Sequence, residues 1–433
     1  MKLLWISNHP DRPSGYGSQT RQVGRRLLDA GIEVEFSAND GSSSGTWNGA
    51  KVHGSTMDRY SRDIIRDDLA QIRPDWTIVL YDAWVYTEGM ADPFRDIPRV
   101  AGWVPVDHYR IPPSILPWVS SHHPIAMAEF GYQELTVASQ RLAEAGTIDR
   151  PFPVWYAPHA IDDAYVRRDH LPTTGMPFRP NAGIPDDAFL VGVVAANTGT
   201  LTYDRKGWSN MALSLGALQQ RHPDAWVYVH SLVRGPDGID LSMLFERSGM
   251  DRKRIIVADD YAMKRHLYTD ADMAGIYSSF DVLLSTSRGE GCGLAPWEAM
   301  ACGVPVIVSN WTAQAEVVGP VYDPARAETE RFPAGWRVHV QPDWDARQGS
   351  HFGFPLVDET IGALMDMYEH RGDPALRAAA LAQAETRRAD RVFAEHWRPI
   401  LAEMEAQAQE ATQKVTRAQA KRDRKAAKAR AIA

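Results

Sequence analysis

The stretch Val282–Asn310, VLLSTSRGEGCGLAPWEAMACGVPVIVSN, holds a short apolar run, a glycine-rich turn, a helix-length segment and a second apolar run. That order is the pattern of a β-α-β unit in a buried parallel sheet. Gly291 and Gly293 let the backbone come close to a ligand. A helix is expected to begin near Leu294, with Pro296 tolerated in its first turn. Its unsatisfied N–H groups and its dipole would then face the strand end, a setting that suits a diphosphate. Glu290 lies in the loop and Glu298 about one turn into the helix. Carboxylates there are poor phosphate partners but good acceptors for sugar hydroxyls.

The same alternation runs outward from this unit in both directions. Leu3–Ser7, Val34–Ala38, Trp76–Tyr81, Val100–Val106, Pro124–Ala128 and Val154–Ala157 form one set of expected strands. Phe189–Ala196, Ala225–Leu232, Arg254–Ala258, Val282–Ser287 and Val304–Ser309 form a second. Two sets imply two doubly wound α/β domains, with ligands beyond the carboxyl ends of the strands. The expected division is 1–166 for the first domain, 167–185 for a proline-rich linker and 186–375 for the second domain. A helical segment over 376–410 and a basic, flexible tail over 411–433 follow. Ser18 is read as the cap of a helix ending at Gly31, and Ser209 as the cap of one carrying Met211, Leu215 and Leu218.

Composition narrows the class. The chain has 433 residues, 44% of them hydrophobic and 24% charged, which are globular values that exclude collagen-like, coiled-coil and disordered chains. Two cysteines cannot build a disulfide framework or a cysteine-rich zinc site, and they point to a reducing, cytoplasmic setting. No apolar run approaches the roughly 20 residues that span a bilayer. The tail carries eight Lys/Arg against Asp423, which leaves −15 on the remainder. Such a tail can bind nucleic acid or an anionic surface, or can simply be a solvated helix end.

Four further motifs follow expected strands. Asn197–Trp208 carries the pair Arg205-Lys206, Pro13-Ser14-Gly15-Tyr16-Gly17-Ser18 joins the first strand to the first helix, and Val104–Arg110 carries Asp107 and His108. Ala157–Asp162 contains His159 in what reads as a hinge. Neither glycine turn is a P-loop, and a dinucleotide fingerprint would need a third glycine where Thr20 stands. Taken singly, each of these is an ordinary surface turn.

Taken together they resemble the retaining GT-B glycosyltransferases of the large family 4, also called glycosyl transferases group 1. The string around Glu290 and Glu298 resembles that family's E-x7-E motif, and Ile276–Asp281 and Thr312–Glu316 fit around it. The resemblance is close over about 189–320 and looser before it. It implies two facing Rossmann-like domains with an interdomain cleft, and a sugar moved with retention from a UDP- or GDP-sugar to an acceptor hydroxyl. It implies no cofactor and no metal beyond that nucleotide-sugar donor.

By the same resemblance, Lys206 and Arg205 neutralise the leaving diphosphate, although the family's usual earlier arginine is missing and Arg205 takes its place. Glu290 meets the donor sugar, Glu298 binds the ribose, and Asp107 or His108 touches the sugar. Gly15, Gly17, Asn197, Gly291, Cys292, Gly293 and Leu294 line the donor. The acceptor stays open among glycans, lipids, proteins and small molecules. The basic tail and the tryptophan-rich first half also admit DNA with hydroxymethylated bases. A hydrolase or phosphorylase of sugar nucleotides would use the same donor site. A non-catalytic sugar-nucleotide binding module is the reading from another class.

Three features are set aside. Gly41-Ser42-Ser43-Ser44-Gly45 matches a nucleophile elbow in letters only, and with Thr46–Gly49 it reads as a flexible loop. His122-His123 lacks a third metal ligand at a suitable spacing. Cys292 and Cys302 flank a helix and are expected to pack and not to react.

Overall fold

The computed structural model describes residues 1–432 apart from 59, 88–91, 199–203, 235–237 and 320–328, and of 424–432 the backbone alone. The chain divides into two compact units. The first comprises Met1–Tyr81, Val85–Trp103 and Phe393–Ala433, and the second Asp82–Trp84 with Val104–Val392.

The first unit is built on β1 (Lys2–Ser7), β2 (Glu33–Ala38), β3 (Gly45–Trp47), β4 (Ala50–His53), β5 (Trp76–Leu80) and β6 (Val100–Val104), in the order β3-β4-β2-β1-β5-β6. The strands β4, β2, β1, β5 and β6 pair in parallel, with Leu3 opposite Val34 and Trp76. Leu3, Leu4, Trp5 and Ile6 are all fully buried, as are Trp76 and Ile78. That explains why these strands read as unbroken apolar runs, because both faces are covered. The helix Gly15–Asp29 makes the first crossover. Its cap is Ser14, not the expected Ser18, and the Ser14 hydroxyl accepts from Gly17 N at 3.1 Å. Ser18 sits inside the helix, where its own N–H bonds Ser14 O.

The expected loop around Gly41–Gly49 is in part a hairpin. β3 and β4 pair antiparallel through Asn48-Gly49, both at positive φ (47° and 86°). An Asn-Gly pair with that geometry is a strong hairpin turn. The helix Arg398–Ile432 returns to this unit with Trp397, Ile400, Leu401, Met404 and Ala408 buried at helical spacing. Trp397 stands 5.7 Å from Trp5 and 4.8 Å from Trp103 between ring centroids, and Trp76 Nε1 donates to Met404 O. The tail beyond Ala411 continues the same helix, exposed wherever its side chains are described.

The second unit pairs β7 (His123–Ala126) with β8 (Trp155–Tyr156) in parallel. Its main sheet holds β9 (Phe189–Val194), β10 (Ala225–His230), β11 (Ile255–Val257), β12 (Val282–Ser285), β13 (Val306–Ser309), β14 (Glu330–Phe332) and β15 (Gly335–Val338). The order is β11-β10-β9-β12-β13-β15-β14, parallel except for β14. A separate hairpin follows, β16 (Val340–Asp345) with β17 (Ser350–Pro355). The eleven strands expected from apolar runs are present, whereas β14–β17 and the β3–β4 pair were not anticipated.

The segment 167–185 is fastened to the second unit. Thr173 N and Oγ1 donate to Asp272, and Arg179 pairs with Asp281 at 2.8 Å. Among the described residues no helix is long and apolar enough to cross a membrane.

Candidate functional site

In the second sheet the chain order reverses between β9 and β12, which lie side by side. The crevice beyond their carboxyl ends is where open parallel sheets bind ligands. Arg205-Lys206 follows β9 and Glu290 follows β12, so the topology brings the two motifs together.

The turn after β9 is held by Asp204, whose carboxylate accepts from Trp208 N at 2.9 Å and Ser209 N at 2.7 Å. The helix Trp208–Arg221 therefore starts at Gly207, and Ser209 lies within it, not at its cap. An aspartate placed before the helix satisfies two of its free N–H groups, which leaves the serine no such role. Gly207 is required there, since its φ is +73° and a Cβ would lie 2.3 Å from Thr286 O.

Lys206 Nζ reaches Glu290 Oε1 at 2.5 Å, and Arg205 Nη1 lies 3.7 Å from Glu290 Oε2. Arg205 also donates to Gly289 O at 3.0 Å and stands 3.9 Å from Asp107 Oδ2. Ser287 Oγ donates to Glu290 Oε1, and Glu290 N donates to Thr312 Oγ1. Burial raises the Glu290 carboxyl, but Lys206, Arg205 and Ser287 outweigh it and hold the group below the usual carboxylate range. Burial lowers Lys206, assisted by the neighbouring Arg205 charge and opposed by Glu290.

The segment Pro105–Arg110 packs against this loop. A Cβ on Gly289 would come within 2.2 Å of Asp107 O, and one on Gly291 within 2.3 Å of Pro105 Cβ. Asp107 Oδ1 meets His108 Nδ1 at 2.6 Å. Burial raises Asp107, but His108 and then Arg205 overcome it, and the carboxyl rests at about 2. On the other side of the imidazole, His108 Nε2 lies 3.9 Å from Asp345 Oδ2, and the ring stands 3.8 Å from that of Phe352. Arg205, Lys206, Glu290, Asp107 and His108 thus form one continuous polar cluster within the second unit.

Gly293 (φ +73°) starts the helix Leu294–Ala301, so the expected start at Leu294 is where the helix begins. Glu298 is deeper and accepts from Tyr277 Oη at 2.9 Å. Burial pushes its carboxyl up to about 7, with Asp270 and Asp162 adding repulsion against the Tyr277 bond. Cys292 and Cys302 are buried, and burial pushes both thiols to about 12, so neither is a ready nucleophile.

Asn197 has its amide committed to the backbone. Nδ2 donates to Leu232 O and Ile239 O, and Oδ1 accepts from Ile239 N, so it shapes the loop after β9. The part of this motif at 199–203 lies outside the described residues. Gly15 and Gly17 belong to the first unit, in the first turn of its helix, where a Cβ on Gly17 would meet Arg12 O at 2.2 Å. His159 is buried, and burial together with the Arg387 charge depresses it to about 3.

Sequence reasoning missed three supports. Asp345 and Phe352 arrive on the unanticipated hairpin β16–β17. Tyr277 lies in the helix Asp270–Ser278, buried from Asp272 onward, where its hydroxyl gives no sign in the sequence of which group it meets. Glu316 forms a buried pair with Arg387 at 2.7 Å, and Arg387 lies over Trp297 at 4.7 Å. The alternation in Ser350–Pro355 and the glycine at 349 (φ +62°) are the signals that mark the hairpin. Among the described residues no group of three or more His, Cys, Asp or Glu is placed to hold a metal ion.

Residues 198–329, which include most of this cluster, match the sequence model of the glycosyl transferases group 1 family. That segment is less than a third of the chain, and what the match shows is similarity to group 1 glycosyltransferases there; the fold is GT-B, with two Rossmann-like domains. A serotype-specific mannosyltransferase, WbdA of Escherichia coli, is 35% identical over 104 residues. Those residues are 24% of this chain and 11% of the relative, so the match spans about a tenth of that protein.

Solved structures are similar over far more of the chain. A glycosyltransferase from Rickettsia africae has a TM-score of 0.63 at 14% identity, covering 93% of this chain and 98% of its own. The sucrose-phosphate synthase of Thermosynechococcus elongatus has 0.62 at 14%, covering 95% and 99%. HepE of Anabaena, solved with UDP-glucose, has 0.62 at 14%, covering 93% and 100%. At such identities these neighbours define the fold alone.

Proposed function

We propose that the protein transfers a sugar from a nucleotide diphosphate sugar to an acceptor hydroxyl, with retention of configuration and without a metal. The observation that carries this reading is the Arg205-Lys206/Glu290 cluster at the β9/β12 crossover. Two cations held by one carboxylate in a largely buried setting are a pre-assembled receptor for a departing diphosphate. When the diphosphate binds, Lys206 and Arg205 turn part of their charge from Glu290 to the phosphate oxygens. The N-terminus of the helix at Gly293 and Leu294 adds its N–H groups, with Gly291 and Cys292 giving the backbone its close approach. Glu290, relieved of one cation, accepts from donor-sugar hydroxyls, and Glu298 accepts from the ribose.

The C1–O bond then breaks with oxocarbenium character. The acceptor hydroxyl attacks from the same face, and its proton passes to the leaving phosphate. Asp107, ionised far below neutral pH, fixes the His108 ring through Nδ1, while Asp345 and Phe352 close its other side. Asn197 is proposed to shape the loop beside the diphosphate.

Nucleoside diphosphate release from a panel of UDP-, GDP- and ADP-sugars, GDP-mannose included, tests this. Each donor is run alone and with glycan, lipid, protein and hydroxymethylated duplex DNA acceptors. Release from one donor, stimulated by one acceptor class and lost in Lys206→Ala, is expected. Release that persists unchanged in Lys206→Ala overturns the assignment. Binding without turnover, across the whole panel, favours a sugar-nucleotide binding module. Stimulation by the DNA alone would make the basic C-terminal helix the segment to examine next.

A further inference from the structure

The hairpin β16–β17 has two faces with different duties. In the register of this hairpin Trp344 lies opposite His351, and Asp343 opposite Phe352. Tyr109 forms an antiparallel bridge to His351, with each N–H bonded to the other's carbonyl at 3.0 Å. Residues opposite one another across a ladder share a face. Trp344, His351 and Tyr109 therefore form a row across three adjacent strands. The alternate face carries Phe352 and Asp345, both against His108.

The row is built, not incidental. Trp344 is 58% exposed and is the one tryptophan in the exposed class among the described residues. Its ring sits 4.9 Å from that of His351. The Tyr109 ring lies 5.7 Å from that of buried Trp311, with the Arg110 guanidinium 5.2 Å from it. With strands about 4.8 Å apart, three positions in a row span roughly 10 Å, close to two linked pyranose rings. The indole, imidazole and phenol supply apolar faces with polar tips, the combination that grips a neutral polyhydroxyl ligand.

We propose that this row is a saccharide-binding platform that holds a glycan acceptor, on the face of the hairpin opposite the one that Phe352 and Asp345 turn to His108. The inference rests on the glycosyl-transfer reading for its word acceptor, but the platform itself stands on the register and the exposure. A glycan is favoured over nucleic acid because the row is made of aromatic side chains and not of the cluster of Lys and Arg that holds a phosphate backbone.

The test is saturation-transfer NMR on the full chain with mannotriose and cellotriose as probes. Trp344→Ala and Trp344→Phe are measured beside the wild type, each checked for an unchanged urea midpoint. At least one trisaccharide should bind the wild type, bind Trp344→Ala at least tenfold more weakly, and recover in Trp344→Phe. Equal binding by Trp344→Ala overturns the platform, as does wild type that binds UDP but neither trisaccharide. Duplex DNA bound in a Trp344-dependent manner, with no trisaccharide bound, overturns it too. Wild type that binds a trisaccharide through Trp344 but releases no nucleoside diphosphate from any donor sinks the transferase reading instead and leaves the platform in place.

Discussion

Replacing Glu298 by glutamine isolates the cost of its burial. The carboxyl titrates at about 7 in the folded protein against an ordinary 4.5, chiefly because it is removed from water. Below 4.5 it is protonated in both folded and unfolded chains and does not affect their balance. Between 4.5 and 7 the folded state holds a proton that the unfolded state has released, so stability falls as pH rises through this window. At about 1.4 kcal/mol per pH unit, a displacement of this size costs the wild type roughly 3 kcal/mol by pH 8.

Glutamine keeps the shape, still accepts from Tyr277, and never ionises. Urea denaturation of both proteins at pH 4.5, 6 and 8 gives the comparison, with every other titrating group cancelling in the difference. The variant should match the wild type at pH 4.5 and exceed it by roughly 3 kcal/mol at pH 8. Parallel stability profiles would refute the reasoning, because they would mean that Glu298 is either well solvated or neutral throughout.

Four further outcomes follow from the same geometry. If a ribose hydroxyl donates to Glu298, UDP affinity measured by calorimetry should rise between pH 5.5 and 7.5 in the wild type and stay flat in Glu298→Gln. Lys206→Ala should cost about 3–5 kcal/mol in urea denaturation by leaving Glu290 short of a partner, and should cut donor turnover about 10²–10³-fold. Adding Glu290→Gln to it should restore much of the stability but none of the turnover. Asp107→Asn should lose roughly 2 kcal/mol at pH 7, because a carboxyl held at about 2 stabilises the fold above its ordinary range and stops doing so as pH falls through 2. Gly289→Ala should lower both the melting temperature and turnover, since its methyl would have to displace Asp107 O from 2.2 Å.

Much of this molecule is legible in its residues because buried parallel strands announce themselves. Leu3–Ile6 and Val282–Leu284 are covered on both faces, so their apolar runs need no periodicity to be seen. The polar cluster was readable for a topological reason, since motifs that follow strands gather at the sheet's carboxyl edge. What escaped was set by neighbours distant in sequence. The Ser14 cap competes with Ser18 only through the fit of the turn before it. Asp204 displaces Ser209 as the helix-starting group. Strand β16 is disguised by Pro342 and by polar residues at three of its six positions. Asn48-Gly49 was visible as a turn, but the short strands around it carry little apolar signal to frame it.

The tryptophan trio of the first unit has a consequence for how the chain is made. Trp5 and Trp103 emerge early in synthesis, whereas their partner Trp397 emerges nearly three hundred residues after Trp103. The second unit lies almost wholly in that interval, as the run Val104–Val392. A unit assembled from stretches so far apart in sequence cannot close before the later stretch has been made. The nascent chain therefore completes its second unit first, with the first unit still incomplete and its indole surface bare. Emergence of the helix that begins at Arg398 is then the step that completes the first unit, and a ribosome stalled before Phe393 would leave that unit open to chaperones and proteases.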